Sequence, residues 1–155
     1  MHQPSLKRVL ANTAAVGLFW VSACDTAAVG VEACRQVEYA RCSAASHCPS
    51  TFHITSPAAC RRFYRDHCLH GLAVSTDPGS PAVNLCTRQI NLLGACAARD
   101  SESAQLSSCK DVHSLDSKVS TVCALLQEPE NIKGCEFLNP SPPAQVLDAG
   151  QDAGI

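Results

Sequence analysis

ACRQVEYARC (33–42) and ACRRFYRDHC (59–68) carry the same device, two cysteines eight residues apart. On an α-helix eight residues make just over two turns and rise about 12 Å. A disulfide needs Cα atoms about 4.4–6.8 Å apart. If both stretches are helical, neither pair can close on itself, and the two cysteines of each lie near one face. Antiparallel placement then aligns Cys34 with Cys68 and Cys42 with Cys60, a doubly stapled helical hairpin. The 17 residues between them (43–59) are enough to reverse the chain. Cys48 lies in that loop and must look elsewhere, with Cys86 as the expected partner. Cys86 and Cys96 likewise look outward, to Cys48, Cys109, Cys123 or Cys135. Ten cysteines allow on the order of a thousand pairings, so spacing alone leaves these partners open.

The surrounding sequence supports helices. Ser56-Pro57 places a capping side chain before a proline at the first helical position. Ala58, Cys60, Phe63, Tyr64, His67 and Cys68 follow at helical spacing, and Gly71 suits the end. Ser80-Pro81 repeats the device, and Val83, Cys86, Ile90, Leu93 and Ala97 form a stripe. Val31, Cys34, Glu38, Cys42 and Ala45 mark an earlier helix with a broken apolar face. Ser114 is read as capping a further helix through Leu115, Val119, Val122, Cys123 and Leu126, ended by Pro129. A short helical piece fits 101–108, and Thr51 to Thr55 is the one strand candidate. The expected fold is all-α: three to five short antiparallel helices stapled by up to five disulfides.

The N-terminus reads as an address. Lys7 and Arg8 precede a 13-residue apolar stretch from Val9 to Val21, and small residues follow. That is the order of a secretory signal, here residues 1–23. Val21-Ser22-Ala23-Cys24 has the form of a lipobox, cleaved before a cysteine that then carries fatty acyl groups such as palmitate. Parity agrees, because eleven cysteines leave one over in an exported chain. The alternative is ordinary cleavage after Ala23, with Cys24 a free or intermolecular thiol. Two or three acyl chains anchor stably where one is marginal. Residues 24–32 read as a tether, 33–138 as the cysteine-rich domain, and 139–155 as a disordered, proline-interrupted tail.

Removing 23 residues leaves 132, with ten basic and fourteen acidic side chains and five aromatics. No basic field exists to hold nucleic acid. So few aromatics make a poor stock for a core, and disulfides fill the gap at roughly 2–4 kcal/mol each. Export to an oxidising compartment makes bridges the expected state. Metal is the other use of many cysteines, but Cys-x2-Cys is absent throughout, and so is Cys-x-x-Cys-His.

With Cys24, the two Cys-x7-Cys stretches, LCTRQINLLGAC (85–96) and DAGQDAG (148–154) in view, the chain resembles the small cysteine-rich lipoproteins of myxobacteria and their relatives. The likeness spans most of the mature chain and implies no activity. Plant seed inhibitors and lipid-transfer proteins are also helical and stapled, but their Cys-Cys and Cys-x-Cys motifs are missing here.

Motifs of chemistry are lacking. The chain has no Gly-x-Ser-x-Gly, no phosphate loop and no His-Glu-x-x-His. Oxidation removes every thiol nucleophile except Cys24. His67 and His70, with His47 elsewhere, form the most ligand-like cluster, yet histidines in a last helical turn also suit the helix dipole. Asp148 and Asp152 read as solvated rather than calcium-binding. Arg61, Arg62 and Arg65 form a basic turn able to meet an acidic partner or lipid headgroups. The expectation is therefore a non-enzymatic envelope protein, without catalytic residues, metal or cofactor, held at the membrane by lipid and facing periplasm or cell surface. It would bind an unknown protein. The alternative is a carrier of a small apolar ligand, which requires a cavity lined by residues such as Leu85, Ile90, Leu93 and Leu126.

Overall fold

The computed structural model describes residues 28–139, apart from Thr55, Ser101 and Glu102. The signal and lipobox residues and the Asp-Ala-Gly tail lie outside that range.

The domain is all-α, and five disulfides staple it. Helix α1 spans Val31–Ala44, so it begins inside the segment read as tether. Its buried face is made of small residues: Ala33, Cys34, Val37, Ala40, Cys42 and Ala44. Such a face is poor in apolar area but lets a neighbour come close. Helix α4 (Gly79–Asp100) takes that opportunity. Gly94 faces the end of α1 so closely that a Cβ there would stand 2.8 Å from the Ala44 Cβ. The α4 stripe of Val83, Cys86, Ile90, Leu93, Cys96 and Ala97 is buried, as the periodicity predicts. The helix begins at Gly79, whose N–H donates to Asp77 Oδ1 at 2.8 Å. Pro81 therefore falls in its first turn, where a missing N–H costs little.

Helix α3 (Pro57–His67) packs on α1, away from α4. The bridges Cys34–Cys68 and Cys42–Cys60 clamp the two, with Cα atoms 5.6 and 5.7 Å apart. The structure thus contains the antiparallel hairpin that the eight-residue spacing gives.

Two readings of local structure need correction. Among the described residues Thr51 to Ile54 hold no strand. The short helix α2 (Pro49–Phe52) occupies the first part, because Pro49 at its first position presets the helical turn. Ser114 starts no helix. Its hydroxyl accepts from the Asp116 N–H at 3.1 Å and closes a local turn. Helix α5 is only Val122–Gln127, capped by Thr121, whose side chain accepts from the Ala124 N–H. Around it the chain is irregular, tied by isolated antiparallel bridges at Gln105–Thr121 and Ser114–Ile132. The helical piece expected over 101–108 reduces, among the described residues, to a 3-10 turn at Leu106–Ser108.

The remaining bridges hold this region. Cys48 joins Cys123 rather than the expected Cys86. The reason is placement: α2 lies against α5, and Gln127 Nε2 donates to the Thr51 carbonyl at 3.2 Å. Cys86 joins Cys135, and Cys96 joins Cys109. Ile90, Leu93, Leu125, Leu126 and Ile132 are fully buried among these sulfurs and form the centre of the core.

Candidate interaction surface

Helix α3 has no buried residue along its length, although its polar and apolar faces are well separated. Covalent bonds hold it where burial does not. Ser56 caps it by accepting from the Ala59 N–H at 3.1 Å, and Pro57 follows. Cys60, Tyr64 and Cys68 point to α1. Tyr64 sits against the Glu38–Arg41 pair, and its burial, then the Glu38 charge, push its phenol above the ordinary value. Arg41 donates to both Glu38 oxygens, at 2.7 and 2.9 Å, and to the Leu126 carbonyl at 3.2 Å. Arg35 of α1 reaches the Arg65 carbonyl at 3.3 Å, and Arg61 donates to Ser43 Oγ.

The opposite side is open. Arg62, Phe63, Asp66, His67, Leu69 and His70 are all exposed. Phe63 is 61% and Leu69 57% exposed, the two largest values among the exposed large apolar side chains described. Phe63 stacks on His67 with ring centroids 5.4 Å apart, which orders the ring without covering it. Asp66 is paired with Arg65 at 2.9 Å, and that hydrogen bond holds its carboxyl below the usual range.

Beside Phe63 an open cleft of about 300 Å³ runs between α2 and α3, lined by Phe52, His53, Ile54, Ala59 and Tyr64. A second, of about 330 Å³, lies where Leu85 and Gln89 of α4 meet Asp111, His113, Lys133 and Glu136. Gln89 Oε1 is buried there without a hydrogen-bond partner. A third, of about 400 Å³, includes Leu92, Arg99 and Lys110. Ile90, Leu93 and Leu126 line none of these three. They are fully buried, while Leu85 borders the second cleft.

The candidate residues read from sequence are thus partly brought together. All ten cysteines from Cys34 to Cys135 are paired, while Cys24 lies outside the described residues. The three arginines diverge: Arg61 turns to Ser43, Arg65 to Asp66, and Arg62 faces solvent. The His67 and His70 rings are 6.4 Å apart. Among the described residues no three His, Cys, Asp or Glu side chains are placed to hold a metal. Sequence reasoning missed the exposure of Phe63 and Leu69. The signal was present, because the direction set by Cys60 and Cys68 leaves Phe63 on the flank of the helix, at about 100° per residue.

Five disulfides point to an oxidising, extracytoplasmic environment. Among the described residues no helix is long and apolar enough to cross a membrane. Comparison with protein-family models, with curated proteins and with solved structures gives no match.

Proposed function

We propose that the chain is a non-enzymatic, lipid-anchored protein of a bacterial cell envelope, a disulfide-rich interaction module whose acylated N-terminus is Cys24. The observation that carries this reading is the cysteine count. Ten of eleven cysteines are consumed in five bridges, and the one left over stands in the Val21-Ser22-Ala23-Cys24 box, directly after an apolar stretch. An exported domain with no spare internal thiol uses its remaining cysteine for something other than stapling. The α3 surface supports an interaction role, since a helix held outside the core by two bridges presents Phe63 and Leu69 to whatever it meets. The packing of Ile90, Leu93 and Leu126 weighs against the apolar-ligand carrier. Intact-mass measurement of envelope material from the native host tests the reading. The expected species begins at Cys24 and carries two or three acyl chains; an unacylated mature chain refutes it.

A further inference from the structure

The point where the chain enters the domain is fixed. The Leu72 N–H donates to the Val29 carbonyl at 2.7 Å. Gly71, at φ +73°, lies so near Val29 that any side chain at 71 would collide with that carbonyl oxygen. Gly30, at φ +65°, presses on Leu72, and a Cβ there would sit 3.0 Å from Leu72 Cδ1. The tether therefore leaves from beside residues 71–72, immediately past the end of α3. Cys24 is five residues before Val29, so a fully extended tether spans at most about 17 Å. Leu69 is three residues before Leu72, no more than about 10 Å along the chain. A lipid on Cys24 would hold the bilayer within reach of the end of α3 that carries the exposed Leu69, His67 and His70.

Charge agrees with position. Around this end Asp66 is paired with Arg65 and Glu32 with Arg35 at 3.9 Å. Arg61 and Arg62 have no carboxylate partner among these two acids, so α3, with three arginines against Asp66, presents positive charge on an otherwise acidic mature chain. An apolar pair, an aromatic ring among them, flanked by arginines is the composition that settles at a headgroup layer.

We propose that the outward face of α3 and of the 3-10 turn that follows it (Cys68–His70), from Arg62 and Phe63 to Leu69, lies on the anionic headgroup layer of the membrane that holds the anchor. The proposal rests on the anchored reading of Cys24. The anchor supplies a high local concentration, so the contact itself can be weak and still be occupied.

The test uses the chain beginning at Cys24, with its five bridges formed and its one free thiol coupled to a maleimide lipid. The coupled protein is placed in phosphatidylethanolamine–phosphatidylglycerol vesicles, and its oxidation by hydroxyl radicals is compared with protein coupled to a soluble maleimide. Oxidation of Phe63 is expected to fall severalfold on vesicles, while Leu92 on α4 is unchanged. Arg62→Glu reverses one charge at the surface. At about fivefold per unit charge it weakens the contact about 25-fold and restores oxidation of Phe63. Residue 62 is exposed, so the melt and the bridges stay as they were. Equal oxidation of Phe63 in both forms, or protection that survives Arg62→Glu, overturns the proposal. Because the coupling supplies an anchor whatever the host does, a native mass without acyl groups would end the anchored reading alone.

Discussion

Cys48–Cys123 closes the longest loop of the five, 75 residues, and its loss should cost the most. The other bridges shorten the loop that matters. From Cys48 a path runs 6 residues to Cys42, crosses to Cys60, runs 26 to Cys86, crosses to Cys135, and runs 12 to Cys123. Closing a loop of that length, about 44 residues, removes roughly 4 kcal/mol of chain entropy from the unfolded state. Cys96–Cys109 closes only 13 residues, worth about 3 kcal/mol. Replacing either pair by alanine removes the same atoms from similarly buried positions. The difference between the two double variants, about 1 kcal/mol, therefore isolates the loop term. Guanidinium unfolding followed by far-ultraviolet circular dichroism reads it, with intact mass proving that four bridges remain. Cys48→Ala/Cys123→Ala should unfold at clearly lower denaturant than Cys96→Ala/Cys109→Ala. An equal or larger loss for the Cys96–Cys109 pair would refute loop closure as the source of the stabilisation.

Gly94→Ala puts a Cβ 2.8 Å from the Ala44 Cβ and should lower stability by about 1–3 kcal/mol in a thermal melt, although alanine is the better helix former. Arg41→Ala strips Glu38 of its cation at a site where both side chains are only about 15% exposed, and frees the Leu126 carbonyl. The expected loss is about 1.5–3 kcal/mol by denaturant titration, with Glu38→Gln milder. Tyr64 has a folded pKa raised by burial, so its contribution is present below the ordinary tyrosine value of about 10 and is lost as pH rises through the folded value. Absorbance at the phenolate band should show this ring titrating late, and Tyr64→Phe should remove that step.

The hairpin was legible because two equal spacings and a helical period let all four cysteines pair across two helices, and the short connection of residues 43–59 selects the antiparallel placement over the parallel one. The α4 stripe was legible for a related reason, since a long helix buried along one face repeats its signal. The region after residue 103 was not. Leu115 and Val119 continue a helical period by coincidence, and Ser114 and Asp116 spend their polar groups on turns instead. Leu115 ends half exposed, so its place in the stripe carried no packing information. The partner of Cys48 depends on where α2 settles against α5, a contact between short elements far apart in sequence. On the candidate surface the sequence showed the arginines but not the exposure of Phe63, because an aromatic at helical spacing reads as core until its neighbours' directions are fixed.

The bridges overlap along the chain, and this decides what a protease can do. Cys34–Cys68, Cys48–Cys123 and Cys86–Cys135 together span every peptide bond from residue 34 to residue 135. A single cut anywhere in that range leaves both pieces joined by sulfur. To release a fragment, an enzyme must cut on both sides of the Cys96–Cys109 loop, in 87–95 and 110–122, or cut twice within one cysteine-free stretch. The longest is 69–85, which opens with the exposed Leu69 at the foot of the hairpin. A nicked molecule therefore gains only one water in mass and keeps most of its surface, and reduction is what separates the pieces.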